Sequence, residues 1–255
     1  MNTDAHPSSS VSICGFFVSH AAAATAGACD VRLSVPMNLL HAIHEPPGDG
    51  PHPTVLALHG WGASALDLLG LAPYLAGGRF LVICPQGPIE VPLGGPVGHG
   101  WFPLAAGAPP DASAFRRGLD AIRSFLDEAA RRYPIDAKKL VALGFSQGGV
   151  MAYALALGEP ERFAGLVALS SWLPAQLIEP SPATGADRLP TLVHHGNADE
   201  MIPVERARES IERLRQLRVP VTYREFGMGH EINAESLNDL TRWLSEKVVS
   251  PIILA

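Results

Sequence analysis

Six short apolar runs, each with the length and composition of a buried β-strand, recur along this chain with helix-like segments between several of them. That alternation restricts the fold more than any other feature. The runs are "TVLALH" (54–59), "RFLVICP" (79–85), "KLVALGF" (139–145), "FAGLVALS" (163–170), "TLVHH" (191–195) and "VTYREF" (221–226). Among the intervening segments, Phe115, Leu119, Ile122 and Leu126 recur at helical spacing. So do Val204, Ala207, Ile211 and Leu214, against a charged face of Glu205, Arg208, Glu212 and Arg215. A β-α-β order predicts an α/β fold, with a mostly parallel central sheet covered by helices on both faces. Ahead of it, "VRLSV" and "LLHAIH" predict an opening antiparallel pair, followed by the turn "PPGDGPHP". With 255 residues and 47% of them hydrophobic, the chain can build one large core. No internal repeat occurs, and no low-complexity linker divides it after about residue 50, so residues 31–255 are read as a single domain.

Charge and cysteine usage narrow the partners. Nineteen Lys and Arg against 25 Asp and Glu leave a net charge of −6 with no basic cluster, which argues against nucleic acid. Cys14, Cys29 and Cys84 are too widely spaced for a zinc site and read as reduced thiols in a cytoplasmic compartment. Residues 1–30 contain "VSICGFFVSHAAAATAGAC", an apolar core followed by small residues. No Lys or Arg precedes Arg32, so a loose leader is the reading, with a secretion or lipid-attachment signal as the alternative. No apolar stretch approaches the ~20 residues of a bilayer span, so no stable membrane insertion is expected. The apolar tail "VVSPIILA" is expected to lie on the surface or against a second subunit, as in a homodimer.

Ligands of open α/β sheets sit beyond the carboxyl ends of the strands. There "KLVALGF" runs into Gly144-Phe145-Ser146-Gln147-Gly148, which fits G-x-S-x-G, and an apolar helix-like run begins at once. A nucleophile elbow needs that spacing, because its serine occupies a strained turn with little room for side chains two positions to either side. Ser146 is therefore the candidate nucleophile. A serine hydroxyl needs a base, and the base an orienting carboxylate, in the chain order Ser, acid, His. Asp199 follows "TLVHH" and His230 follows "VTYREF", both at carboxyl ends of predicted strands. Glu200 is the rival acid. His194 and His195 are rival bases, placed inside a strand and upstream of the acid, and are read as packing residues. The tetrahedral intermediate needs backbone donors, assigned to the N–H of Gln147 at the helix start and of Trp61 in "LHGWGAS" (58–64). His59 is read as a loop-holding residue.

The ordered set "LHGWG" (58–62), "CPQGP" (84–88), "WF" (101–102), "GFSQGG" (144–149), "HGNADEMIP" (195–203) and "GMGHEI" (227–232) resembles the carboxylesterase, phospholipase and acyl-protein thioesterase branch of the α/β-hydrolase fold, over about residues 50 to 245. The resemblance implies a triad of Ser146, Asp199 and His230, with Trp61 and Gln147 as the oxyanion hole. Two departures bear on substrate. Trp61 is bulkier than the leucine common there in thioesterases, and the long Gly/Pro-rich stretch over 86–111 would reshape the acyl pocket.

The predicted activity is cleavage of small-molecule carboxylic esters of short-to-medium acyl chain through an acyl-enzyme, without metal or cofactor. Only about 20 residues separate the strands "FAGLVALS" and "TLVHH", too few for a large lid domain. Trp61, Trp101, Phe102 and Leu173 are candidate walls of the substrate pocket. The alternatives within the fold are a lysophospholipase, an acyl-protein thioesterase, a dienelactone-type hydrolase or a non-catalytic binding protein. A metal hydrolase built on His59, His194, His195 and Asp199 lacks any HExxH-type spacing.

Overall fold

A computed structural model describes residues 37–92, 94–104, 110–174, 177 and 184–250 in full, and, ahead of these, only the strand backbones of β1 (Ser12–Ile13), β2 (Phe16–Phe17) and β3 (Arg32–Ser34). The leader read over 1–30 otherwise lies outside the described residues, as does the end of the apolar tail, 251–255.

An eight-stranded sheet runs through the protein. Its members are β3, β4 (His41–His44), β5 (His52–Leu58), β6 (Leu81–Pro85), β9 (Ile135–Phe145), β10 (Gly165–Leu169), β11 (Thr191–Gly196) and β12 (Val221–Phe226). β7 (Ile89–Val91) and β8 (Gly98–Gly100) form a separate antiparallel hairpin. The spatial order is β12-β11-β10-β9-β5-β6-β4-β3. From β12 to β6 every neighbour is parallel, while β4 pairs antiparallel with both β6 and β3, as the opening pair predicted. β9 begins four residues before the expected "KLVALGF", because the polar "IDAK" still pairs at its start, Ile135 lying opposite His52.

The central strands are buried on both faces, so successive residues feed opposite cores. Along β5, Leu56 and Leu58 face one layer and Val55 and Ala57 the other; along β9, Leu140 and Ala142 alternate in the same way with Val141 and Leu143. The first layer is closed by α1 (Ala112–Arg132), α2 (Gln147–Gly158) and α3 (Val204–Gln216). The second is closed by α4 (Ala234–Leu244) and a 3₁₀ turn at Leu68–Leu71. The sequence periodicities of α1 and α3 correspond to their buried faces. Nearly every residue of α2 is buried, which is why its sequence shows no polar stripe. Asp111 caps α1 by accepting from the N–H groups of Ser113 (2.8 Å) and Ala114 (3.3 Å), and Asn233 caps α4 through the N–H of Ser236 (2.8 Å). No helix is long and apolar enough to cross a membrane, among the described residues. Between β10 and β11 the described residues form only a 3₁₀ turn, Ala186–Arg188, and no large lid is evident.

Candidate active site

The elbow forms where β9 meets α2. Ser146 has φ 52° and ψ −119°, a conformation that costs a non-glycine residue energy and persists only where the surroundings enforce it. The enforcement is visible at the two glycines. A Cβ on Gly144 would stand 2.1 Å from the Gly148 carbonyl oxygen, and one on Gly148 would stand 1.9 Å from the Leu58 carbonyl oxygen. Any side chain at either position would push α2 off the sheet. Ser146 N–H donates to Leu169 O at 2.9 Å, and Ser171 Oγ–H donates to Ser146 O at 2.8 Å, so β10 and its following loop brace the turn.

Asp199 follows β11 in a tight turn. Its Oδ1 accepts from the N–H groups of Met201 (2.9 Å) and Ile202 (2.8 Å), and its Oδ2 lies 2.7 Å from His230 Nδ1. Fixing one oxygen by backbone donors aims the other at the imidazole. That contact makes Nδ1 the protonated nitrogen and leaves Nε2 as the basic one. The His230 ring lies 4.8 Å, centroid to centroid, from Phe145, the residue immediately before the serine. No hydrogen bond joins Ser146 Oγ to His230 among the described residues; such contacts commonly tighten only with substrate in place. Glu200 points to solvent.

The three other histidines of interest are committed elsewhere. His59 Nε2 accepts from Gly87 N–H (2.9 Å), so Nδ1 carries the proton and donates to Gly60 O (2.7 Å); burial pushes this imidazole down to about 4, keeping it neutral. His195 Nε2 donates to Ile202 O at 2.8 Å and holds the Asp199 turn closed, and burial also lowers its pKa. His194 is paired with Asp239 on α4, 3.1 Å away. The four residues weighed for a metal thus serve three different local structures.

The donors expected for an oxyanion are in suitable states. Gln147 is the first residue of α2, so its N–H has no intrahelical acceptor. Trp61 N–H donates to no group among the described residues, whereas Gly62 N–H is taken by His99 O at 2.8 Å. His99 N–H returns a bond to Ala63 O, also 2.8 Å, so part of the Gly/Pro-rich stretch forms the β7-β8 hairpin that clamps the Trp61 loop.

The residues expected as pocket walls divide. Trp101 and Phe102 have no exposed surface. Trp101 N–H donates to Gln147 Oε1 (2.9 Å), its indole N–H to His59 O (2.8 Å), and Gln147 Nε2 donates to Phe102 O (2.7 Å). These bonds make the two residues a brace behind the Trp61 loop, a role that spacing does not reveal. Leu173 sits at the end of the loop after β10, its N–H donating to Ser210 Oγ at 2.8 Å. Trp61 is half-buried, its ring against Gly100. Sequence reasoning missed Ser170 and Ser171. Ser170 has φ 45° and its hydroxyl reaches Glu231 O at 3.4 Å, so this pair ties the elbow to the histidine loop. A Ser-Ser doublet directly after a buried strand was the available signal.

Known proteins resemble this chain in sequence and in fold. The chain is 28% identical over 173 residues to a probable carboxylesterase SOBER1-like protein of Arabidopsis thaliana, covering 65% of each protein, slightly under two thirds of that relative. It is 28% identical over 205 residues to acyl-protein thioesterase 1 of Gibberella zeae, covering 74% of this chain and 85% of the relative. The crystal structure of a carboxylesterase from Mesorhizobium loti superposes with a TM-score of 0.74 at 19% identity, covering 87% of this chain and all of that one, a likeness of fold. The phospholipase/carboxylesterase family model matches residues 40–248, from the start of β4 to just beyond α4, and the chain accordingly belongs to the phospholipase/carboxylesterase family, hydrolases of the esterase type on the α/β-hydrolase fold.

Proposed function

We propose that this chain hydrolyses carboxylic esters of small molecules with short-to-medium acyl chains, with Ser146 as nucleophile, His230 as general base and then acid, and Asp199 as the orienting carboxylate. The observation that carries the reading is the positive-φ Ser146 at the β9-α2 junction together with the 2.7 Å contact between His230 and Asp199. Ser146 Oγ attacks the ester carbonyl carbon while its proton passes to His230 Nε2. The oxyanion is held by the N–H groups of Trp61 and Gln147. Collapse expels the alcohol, which takes the proton from His230, and water repeats the sequence on the acyl-enzyme. The catalytic unit is read as residues 31–255, since β3 already pairs with the sheet. The buried, free Cys84 suits a reducing, cytoplasmic compartment.

A fluorophosphonate probe tests the assignment. It should label Ser146 and abolish hydrolysis of p-nitrophenyl butyrate, and Ser146→Ala should lose both labelling and several orders of magnitude of turnover while keeping its melting temperature. Labelling at another residue, or an active Ser146→Ala variant, overturns it.

A further inference from the structure

We infer that the pocket between the loop after β10 and helix α3 is an anion-binding subsite, which selects esters whose acid or alcohol part ends in a carboxylate or phosphate. The inference rests on the esterase reading and names the substrate class of the same site.

The pocket has a volume of about 190 Å³ and is walled by Trp172, Leu173 and Pro174 on one side and by Arg206, Ser210 and Arg213 on the other, with Glu209 also at its edge. Both walls continue directly from segments that hold the proposed triad. Trp172 follows Ser171, whose hydroxyl bonds the Ser146 carbonyl at 2.8 Å. α3 starts two residues after Ile202, whose N–H holds Asp199. Ser210 joins the walls, accepting from Leu173 N–H at 2.8 Å and donating to Arg206 O at 2.6 Å, so the pocket keeps its shape without a ligand.

The guanidinium of Arg206 lies 4.6 Å from the centroid of the Trp172 ring. Stacking on an aromatic face fixes the plane of an arginine while leaving its edge donors open, which reduces the entropy lost when they engage an oxyanion. Arg206 forms no ion pair among the described residues, unlike Arg123, Arg162, Arg188, Arg208, Arg224 and Arg242. Arg206 thus brings an unpaired guanidinium to the pocket of a chain whose net charge is −6. Arg213 also lines the pocket, its Nη1 donating to Gln216 Oε1 at 3.4 Å.

Two pairs of esters separate the sources of the anion. Mono-p-nitrophenyl glutarate against p-nitrophenyl valerate places a carboxylate on the acid side; 1-acetylglycerol 3-phosphate against 1-acetylglycerol places a phosphate on the alcohol side. At least one charged member should be preferred in kcat/KM by the wild-type enzyme, and added salt should weaken that preference. Arg206→Ala should lower the charged-to-neutral ratio about tenfold, mainly through KM, as expected for loss of one charge-assisted hydrogen bond. Arg206→Lys, which keeps the charge but not the planar fork, should fall between. Arg213→Ala should lower the same ratio less. Ratios untouched by Arg206→Ala, with neutral esters still cleaved in a Ser146-dependent way, overturn the subsite alone. Failure of the wild-type enzyme on all four esters overturns the esterase reading with it.

Discussion

Two histidine–aspartate hydrogen bonds lie among the described residues, at 2.7 Å for His230 with Asp199 and 3.1 Å for His194 with Asp239, and only the first is assigned to the proposed site. The difference is in the other atoms. His230 faces its carboxylate through Nδ1 and has a 12% exposed side chain, so Nε2 is not the atom that the carboxylate takes. His194 uses Nε2, is 1% exposed, and its Nδ1 is buried without a partner. Asp199 Oδ1 is held by two backbone N–H groups, its Oδ2 has His195 Nε2 3.5 Å away beside His230, and no Lys or Arg pairs with it among the described residues, which leaves its charge for the imidazoles. Burial pushes the His194 imidazole down to about 4 against the pull of Asp239, whose carboxylate is shared with Arg224 and Arg242. A close His–Asp contact is therefore not a catalytic signature by itself. Which nitrogen is engaged, and what else the carboxylate holds, decide the role.

The largest test exchanges the histidines. His230→Ala should lower kcat by about four to six orders of magnitude, as loss of a triad base does. His194→Ala should leave turnover of the folded protein within a few-fold and cost instead ~1–3 kcal/mol of stability in urea titration, the range for an unmade buried hydrogen bond. Comparable kinetic losses in both variants would erase the distinction. Exchanging the acids sharpens it. Asp199→Asn should reduce kcat by about 10⁴-fold through the wrong imidazole tautomer, whereas Asp239→Asn should act on melting temperature with kcat/KM nearly retained.

The smallest effect concerns acid. His59 and His194 have folded pKa values near 4, below the ordinary 6.5 of an unfolded histidine. Between those values the unfolded chain binds protons that the folded chain refuses, so this contribution to stability is complete above pH 6.5 and is lost as pH falls toward 4. The slope is about 1.4 kcal/mol per pH unit for each histidine. Urea midpoints across pH 7 to 4.5 should show it, and His194→Gln should reduce the slope. An unchanged slope in that variant would show that His194 titrates as an ordinary histidine.

Much of the site was legible because its chemistry is local in sequence. The glycine spacing around Ser146 specifies a close approach of α2 to β9, and runs such as "TLVHH" and "VTYREF" place Asp199 and His230 at strand ends, where loops carry function. Helix α4 was not predicted, although Asn233 caps it, because the segment was read for its histidine alone. Trp101 and Phe102 were read as pocket walls because aromatic residues near a site fit that role equally well; only their bonds to Gln147 and His59 reveal a brace.

The sequence by itself determined the α/β class, the tight turn at Ser146 and the placement of Asp199 and His230 beyond strand ends, since each depends on backbone geometry and burial within a few consecutive residues. Tertiary structure alone decided that β9 lies between β5 and β10, that Gly62 N–H is spent on His99 while Trp61 N–H is not, and that His194 belongs to α4 and His230 to Asp199. These outcomes join residues far apart in the chain, Leu58 with Gly144 across β5 and β9 and His194 with Asp239, 45 positions away. The energy of such a contact depends on what every other neighbour already holds, and no short stretch of chain contains that information.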